Sequence, residues 1–133
     1  MSILIDKVAW VRVENGKVLA ARSRGKDTCY LPGGKREEGE SDVQTLVREI
    51  REELNVTLVP ETVEFLGTYE ARAHGRAEGT VVRMSCYTGD YRGTPAASAE
   101  VEEVLWLTHA DRDRFSPAGR LVLDDLKAAG KLD

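Results

Sequence analysis

Cysteine is scarce in this 133-residue chain. Cys29 and Cys86 are the only two, and neither sits in a CxxC or Cys/His spacing, so neither a disulfide framework nor a structural zinc site is indicated. Both thiols are expected to be buried or half-buried. Long apolar runs are also missing. The segment Met1-Ser2-Ile3-Leu4-Ile5-Asp6-Lys7 carries charges where a signal core must be apolar, and no stretch approaches membrane-spanning length. A cytoplasmic protein without a membrane partner is therefore expected. Neither sign of charge is concentrated: 19 Lys plus Arg against 23 Asp plus Glu give a net charge of −4. Without clustered basic charge, no stable nucleic-acid partner is expected, and an anionic ligand needs local help. Internal repeats and low-complexity linkers are absent as well. The length suits a single domain spanning residues 1–133.

What is present reads as strands interrupted by two helices. Residues 8–13 form an apolar run, Glu14-Asn15-Gly16-Lys17 supplies turn chemistry, and residues 18–22 resume an extended run, so a hairpin is predicted. Cys29-Tyr30-Leu31 leads into Pro32-Gly33-Gly34, which ends a strand and frees the backbone for unusual angles. From Ser41 the period changes. Val43, Leu46, Val47, Ile50 and Leu54 recur at helical spacing and predict a helix over 42–54, with Ser41 and Gln44 as a capping box. Asn55 suits the left-handed position that ends a helix. Residues 56–59, 63–71, 80–88 and 101–107 look extended. Ser116-Pro117 opens a second helix whose apolar stripe is Leu121, Val122, Leu126 and Ala129, closed by Gly130. This order predicts an α/β protein with a mixed sheet covered by helices on its faces.

The chemistry concentrates on the first helix. At about 100° per residue, Glu49, Glu52 and Glu53 fall on one flank of the apolar stripe. Their i,i+3 and i,i+4 pairs repel by roughly 0.2–0.5 kcal/mol each. A divalent cation would offset that repulsion, since Mg²⁺ takes hard oxygen ligands and bridges carboxylates to phosphates. A solvated acidic face relieved by Arg48 and Arg51 is the plainer alternative. The glycine pair ahead of the helix allows backbone carbonyls to approach the same place.

Gly34-Lys35-Arg36-Glu37-Glu38-Gly39-Glu40, followed after seven more residues by Arg48-Glu49-Ile50-Arg51-Glu52-Glu53-Leu54-Asn55-Val56, closely resembles the Nudix box. That family's pattern is G, five residues, E, seven residues, then R-E-U-x-E-E-x-G-U, where U is a bulky aliphatic residue. Gly34, Glu40, Arg48, Glu49, Ile50, Glu52, Glu53 and Val56 match, and Asn55 stands where the family has glycine. The order of elements around the box is also similar to a Nudix fold. The resemblance implies an α/β/α sandwich around a mixed β-sheet. It further implies metal ligation by Glu49, Glu52, Glu53 and the carbonyl of Gly34, with Glu40 and Arg48 bracing the loop. Mg²⁺ is the expected cofactor, with Mn²⁺ as an alternative.

The activity implied is hydrolysis of a nucleoside diphosphate linked to another group, by attack of water on phosphorus. Glu49 is the first candidate for general base. Glu100, six residues before Trp106, resembles an acidic residue that many members carry outside the box and is the second candidate, as base or added ligand, ahead of Glu103. Arg22 resembles a phosphate-contacting arginine; with Gly33, Lys35 and Arg72 it makes up the candidate substrate contacts. Arg72, His74, Arg76 and Arg83 surround a predicted turn over 74–79 that could bring positive charge to a polyphosphate. Tyr30, Trp10 and Tyr87 are available to stack on a base, although packing is the commoner role of strand aromatics, and Trp106 is expected in the core. Residues 30–35 look MutT-like, which implies a (deoxy)nucleoside triphosphate substrate, including an oxidised or non-standard one. ADP-ribose or a nucleotide sugar is the enzymatic alternative, and a nucleotide-sensing domain without catalysis is the non-enzymatic one. A homodimer is compatible with the sequence.

Overall fold

A computed structural model describes residues 3–73 and 79–133. Among them the chain begins with β1 (Ile3–Trp10), β2 (Val13–Glu14), β3 (Lys17–Ser23), β4 (Cys29–Tyr30) and β5 (Gly33–Gly34). Helix α1 (Asp42–Leu54) follows, then β6 (Thr57–Leu58), a 3-10 turn at Pro60–Thr62, β7 (Glu64–Arg72) and β8 (Thr80–Thr88). The chain ends with β9 (Tyr91–Arg92), β10 (Val101–Leu107), a 3-10 turn at His109–Arg114 and α2 (Pro117–Ala128).

One sheet runs β5-β1-β8-β7 and is mixed, because β1 and β8 pair in parallel while their outer neighbours are antiparallel. A second sheet runs β10-β3-β2, with β4 also on β3. Period-two alternation along the strands explains why both faces are covered. Val8 and Trp10 of β1 and Leu19 of β3 join the cluster under α1, with Leu46, Ile50 and Leu54. Their alternates Ala9, Val11, Val18 and Ala20 join the cluster under α2, with Val122, Leu123 and Leu126. The result is the α/β/α arrangement expected from the sequence.

Helix α1 starts and stops as its residues dictate. Ser41 accepts from the Gln44 N–H, Gln44 reaches back to the Ser41 N–H, and Asn55 closes the helix at φ 57°, ψ 32°. Such a cap contributes about 1 kcal/mol. Leu46, Ile50 and Leu54 are fully buried, each stabilising by roughly 1.5–3 kcal/mol relative to exposure.

Two expectations need correcting. The hairpin is confined to β2 and β3, turning through Asn15 and Gly16 at φ 53° and 76°. Residues 8–10 belong instead to the other sheet, because β3 finds its long partner in β10. In α2 the inward stripe is Ala118, Val122, Leu123 and Leu126, whereas Leu121 is 38% exposed and Ala129 lies beyond the last turn at the surface. The i,i+4 row from Ala118 faces the sheet and rotates Leu121 away from it. Both cysteines are buried and free. Among the described residues no helix is long and apolar enough to cross a membrane.

Candidate active site

Strand β5 is squeezed between β1 and α1. Gly33 lies opposite Ala9 and Gly34 opposite Val8. A Cβ on Gly33 would stand 2.0 Å from the Val8 carbonyl oxygen, and one on Gly34 would stand 2.6 Å from the carboxyl carbon of Glu49. Backbone thus demands glycine at position 33, while a side chain at 34 would have to push aside the Glu49 carboxyl, which lies against β5. One turn later Glu53 points to the same strand, its Oε2 accepting the Gly33 N–H at 3.0 Å.

Burial raises the Glu53 pKa, and the neighbouring Glu49 charge raises it further, to about 8, against the opposing effects of the Gly33 N–H, Tyr30 and Lys7. Glu49 is likewise raised by burial, with Glu52 adding and Arg48 opposing. Arg48 is the hub of the flank. Its guanidinium donates to both oxygens of Glu40 at 2.8 and 2.9 Å, to Glu49 at 2.7 Å and to the Lys35 carbonyl at 3.2 Å. Glu40 also accepts the Glu37 N–H at 2.8 Å and the Thr45 hydroxyl at 2.9 Å. Arg48 first, then those donors, hold its pKa down at about 2. The loop between β5 and α1 is fastened from below by Arg36, which bridges Asp6 and Asp42, and Tyr87 donates to Asp42.

A fourth carboxylate arrives from outside the box. The chain before β10 is tied to the end of α1 by Ala96 N–H to Leu54 O (2.9 Å) and Ser98 N–H to Glu53 O (3.0 Å). Ala99 then adopts φ 55°, a left-handed conformation that costs a side chain-bearing residue of order 1 kcal/mol or more. Glu100 enters a cleft of about 370 Å³ lined by Tyr30, Gly33, Glu49, Glu52, Glu53, Ala99, Glu100 and Val101.

In donor chemistry this cleft fits a hard divalent cation: it is rich in carboxylate oxygen, and the burial and mutual repulsion of Glu49 and Glu53 would both be relieved by positive charge. The carboxylates nevertheless stand apart. Among the described residues no three Asp, Glu, His or Cys side chains are grouped closely enough to hold a metal ion, since Glu49 is held by Arg48 and Glu52 is 55% exposed.

A larger cleft of about 510 Å³ has the opposite character. Lys7, Lys26, Arg72 and Arg120 line it together with Ile5, Thr28, Ala73, Val82, Asp113, Phe115, Ser116, Pro117 and Ala118. Lys7, which lines this cleft, also contributes the smallest of the effects lowering the Glu53 pKa. Arg120 donates to the Phe115 and Asp113 carbonyls at 3.0 and 3.3 Å, shaping one wall.

Of the predicted substrate contacts, Gly33 lines the acidic cleft and Arg72 the basic one. Lys35 is exposed and lines neither, offering its carbonyl to Arg48. Arg22 also lines neither and is engaged by Glu102 and Glu103, so Glu103 is turned away from the other carboxylates. Arg83 pairs with Glu70 at 2.8 Å, and His74 and Arg76 lie outside the described residues. Trp10 is not available for stacking on a base: it is fully buried, with its indole N–H on the Gly89 carbonyl at 3.1 Å. Tyr87 meets Phe65 edge to face at 5.4 Å, and Trp106 packs half-buried against the α1 cluster. Sequence reasoning missed Lys7, Lys26 and Arg120. Only Lys7 carried a readable signal, its two-residue spacing from Ile5 on β1, which puts both on one face.

The NUDIX domain family matches residues 6–126. The CTP pyrophosphohydrolase of Escherichia coli (strain K12) is 32% identical over 108 residues, covering 77% of this chain and 75% of that protein. The solution structure of the E. coli ORF135 protein superposes with a TM-score of 0.74 at 27% identity, over 99% of this chain and 96% of that one. A MutT protein from Methanosarcina mazei Go1 shares the fold, with a TM-score of 0.76 at 21% identity, over 98% and 97% of the two chains.

Proposed function

The chain belongs to the Nudix family and is an enzyme acting on phosphorus-containing anhydrides, and from that premise we propose that it is a nucleoside triphosphate pyrophosphohydrolase. Nudix hydrolases use divalent metal ions and act on small-molecule nucleotides. The observation that carries the finer reading is the presence of two clefts of opposite character: four carboxylates line one and four cations line the other. A nucleotide whose polyphosphate is complexed with a cation satisfies both signs at once. Support for a triphosphate comes from the E. coli relative named for CTP. The family match over most of the chain supports reading it as one catalytic domain.

In this reading Glu52, Glu53, Glu49, the Gly34 carbonyl and Glu100 would hold Mg²⁺, or Mn²⁺ in its place. When bound, the cation neutralises charge on the phosphate oxygens and acidifies water. Arg48 holds Glu49 against β5, and the Gly33 N–H holds Glu53. Glu49, placed against β5 by Arg48, takes the proton of the attacking water; Glu100 is the second candidate for that proton. Water oxygen forms the new bond to phosphorus, the bridging P–O bond breaks, and the leaving pyrophosphate takes the electron pair. Lys7 and Arg72 receive the anionic substrate. The apolar wall of Ile5, Val82 and Phe115 suits a base.

The test is a panel of ribo- and deoxynucleoside triphosphates, oxidised and methylated forms included, with ADP-ribose alongside, assayed with Mg²⁺, Mn²⁺ or chelator. Monophosphate and pyrophosphate in equal amounts, formed only with the cation, are expected. Faster cleavage of ADP-ribose than of every triphosphate would overturn the substrate assignment.

A further inference from the structure

We infer that Arg22 is a positioning residue that aims Glu100 into the acidic cleft, and that it is not a ligand for substrate phosphate. The inference rests on the proposed role of Glu100. Arg22 ends β3 with two of its three guanidinium nitrogens engaged: Nε donates to Glu103 at 3.2 Å, and Nη1 donates to Glu102 at 3.3 Å and to the Lys26 carbonyl at 2.9 Å. It lines neither cleft. A phosphate arriving there would meet two carboxylates of its own sign already paired with the guanidinium.

The register explains how two successive residues of β10 reach one arginine. Val101 faces Ser23 and Glu103 faces Arg22, so the strand carries an extra residue between them. Such a bulge bends the strand and re-aims neighbouring side chains. Just upstream, the Glu100 carbonyl accepts the Arg24 N–H at 3.0 Å, and Ala99 is held at φ 55°. The segment is thus gripped on one side by Ser98 N–H on Glu53 O and on the other by Arg22 on Glu102 and Glu103. Between those two grips Glu100 joins Glu49, Glu52 and Glu53.

Two roles for Arg22 are separated by kinetics. A phosphate ligand lost should raise KM, whereas a misaimed Glu100 should lower kcat alone. The experiment compares Arg22→Ala, Arg22→Lys, Glu100→Gln and the Arg22→Ala/Glu100→Gln double variant. Each is assayed with CTP and Mg²⁺, titrated calorimetrically with Mn²⁺ without nucleotide, and followed by amide hydrogen exchange at Arg24. Arg22→Ala is expected to lower kcat about tenfold with KM within about twofold, and to add almost nothing on the Glu100→Gln background. Its Mn²⁺ affinity should weaken and its Arg24 amide should exchange faster, with Arg22→Lys intermediate in both and covering the case that Arg22→Ala fails to fold. A KM increase at unchanged kcat, additive with Glu100→Gln, would overturn the inference, as would wild-type exchange at Arg24 in a folded variant. Wild-type Mn²⁺ binding and turnover in Glu100→Gln would instead remove Glu100 from the proposed function; Arg24 exchange would still judge whether Arg22 holds the segment. Lack of CTP turnover in the wild type would strike the substrate assignment alone.

Discussion

The acidic cleft draws three of its four carboxylates from successive turns of one helix, whereas the basic cleft collects Lys7, Lys26, Arg72 and Arg120 from four separate stretches of chain. Two of the acidic side's carboxylates are braced within residues 33–53: Arg48, itself clasped by Glu40, holds Glu49, and the Gly33 N–H holds Glu53. On the basic side, Arg120 holds the carbonyls of Asp113 and Phe115. The contrast amounts to a division of labour. Under the proposed function, the site for the reacting atoms draws mostly on one helix, with Glu100 added from the chain before β10, and the site for the rest of the ligand is assembled from parts that can vary independently.

The contrast between the clefts is most exposed to test at Glu53. Glu53→Gln should lower kcat by about two orders of magnitude or more, because a neutral amide is a poor cation ligand, while circular dichroism shows an intact fold. Near-normal turnover in the folded variant would remove the acidic cleft from the chemistry. On the other side, Arg72→Ala should raise KM roughly tenfold with kcat changed less than about twofold, the signature of lost uniform binding. A kcat loss of the same size as in Glu53→Gln would erase the distinction between the clefts.

Stability against pH tests the acidic side alone. Glu53 titrates near 8 in the folded chain against an ordinary value of 4.5. The folded state therefore holds a proton that the unfolded state has released. Stability is full below the ordinary value and falls as pH rises through about 8. Metal-free melting temperatures should decline from pH 5 to pH 8.5, Glu53→Gln should flatten that decline, and Mn²⁺ should restore stability more at pH 8 than at pH 5. Equal stabilisation by Mn²⁺ at both pH values would contradict the origin of the shift. The smallest effect belongs to Glu40, whose depressed pKa of about 2 supplies stability above its ordinary value that is lost as pH falls from 4.5 toward 2. Glu40→Gln should narrow the melting difference between pH 5 and pH 3; an unchanged difference would mean that the clasp with Arg48 is equally strong in the unfolded chain.

Legibility in the sequence follows the same divide. Helix α1, its capping box and the Asn55 close could be read because they depend on neighbours within a few residues. The flank of Glu49, Glu52 and Glu53 followed from helical period alone. Pairing between β1 and β8 or between β3 and β10 could not be read, because strand partners are chosen by burial across the whole chain. For the same reason Lys7, Lys26 and Arg120 were invisible as a group, and the partners of Arg22 on β10 were missed. Trp10 was ambiguous because a strand aromatic looks alike whether it packs or binds. Leu121 was misjudged because apolar identity does not fix which face of an amphipathic helix turns inward.

The most direct test is paramagnetic broadening by Mn²⁺ of backbone amides in isotope-labelled, nucleotide-free protein. Broadening should be strongest at Gly33, Gly34, Glu49, Glu52, Glu53 and Glu100, weaker at Arg72 and Arg120, and be abolished in Glu53→Gln. Broadening centred elsewhere, or persisting unchanged in that variant, would contradict cation binding by the acidic cleft.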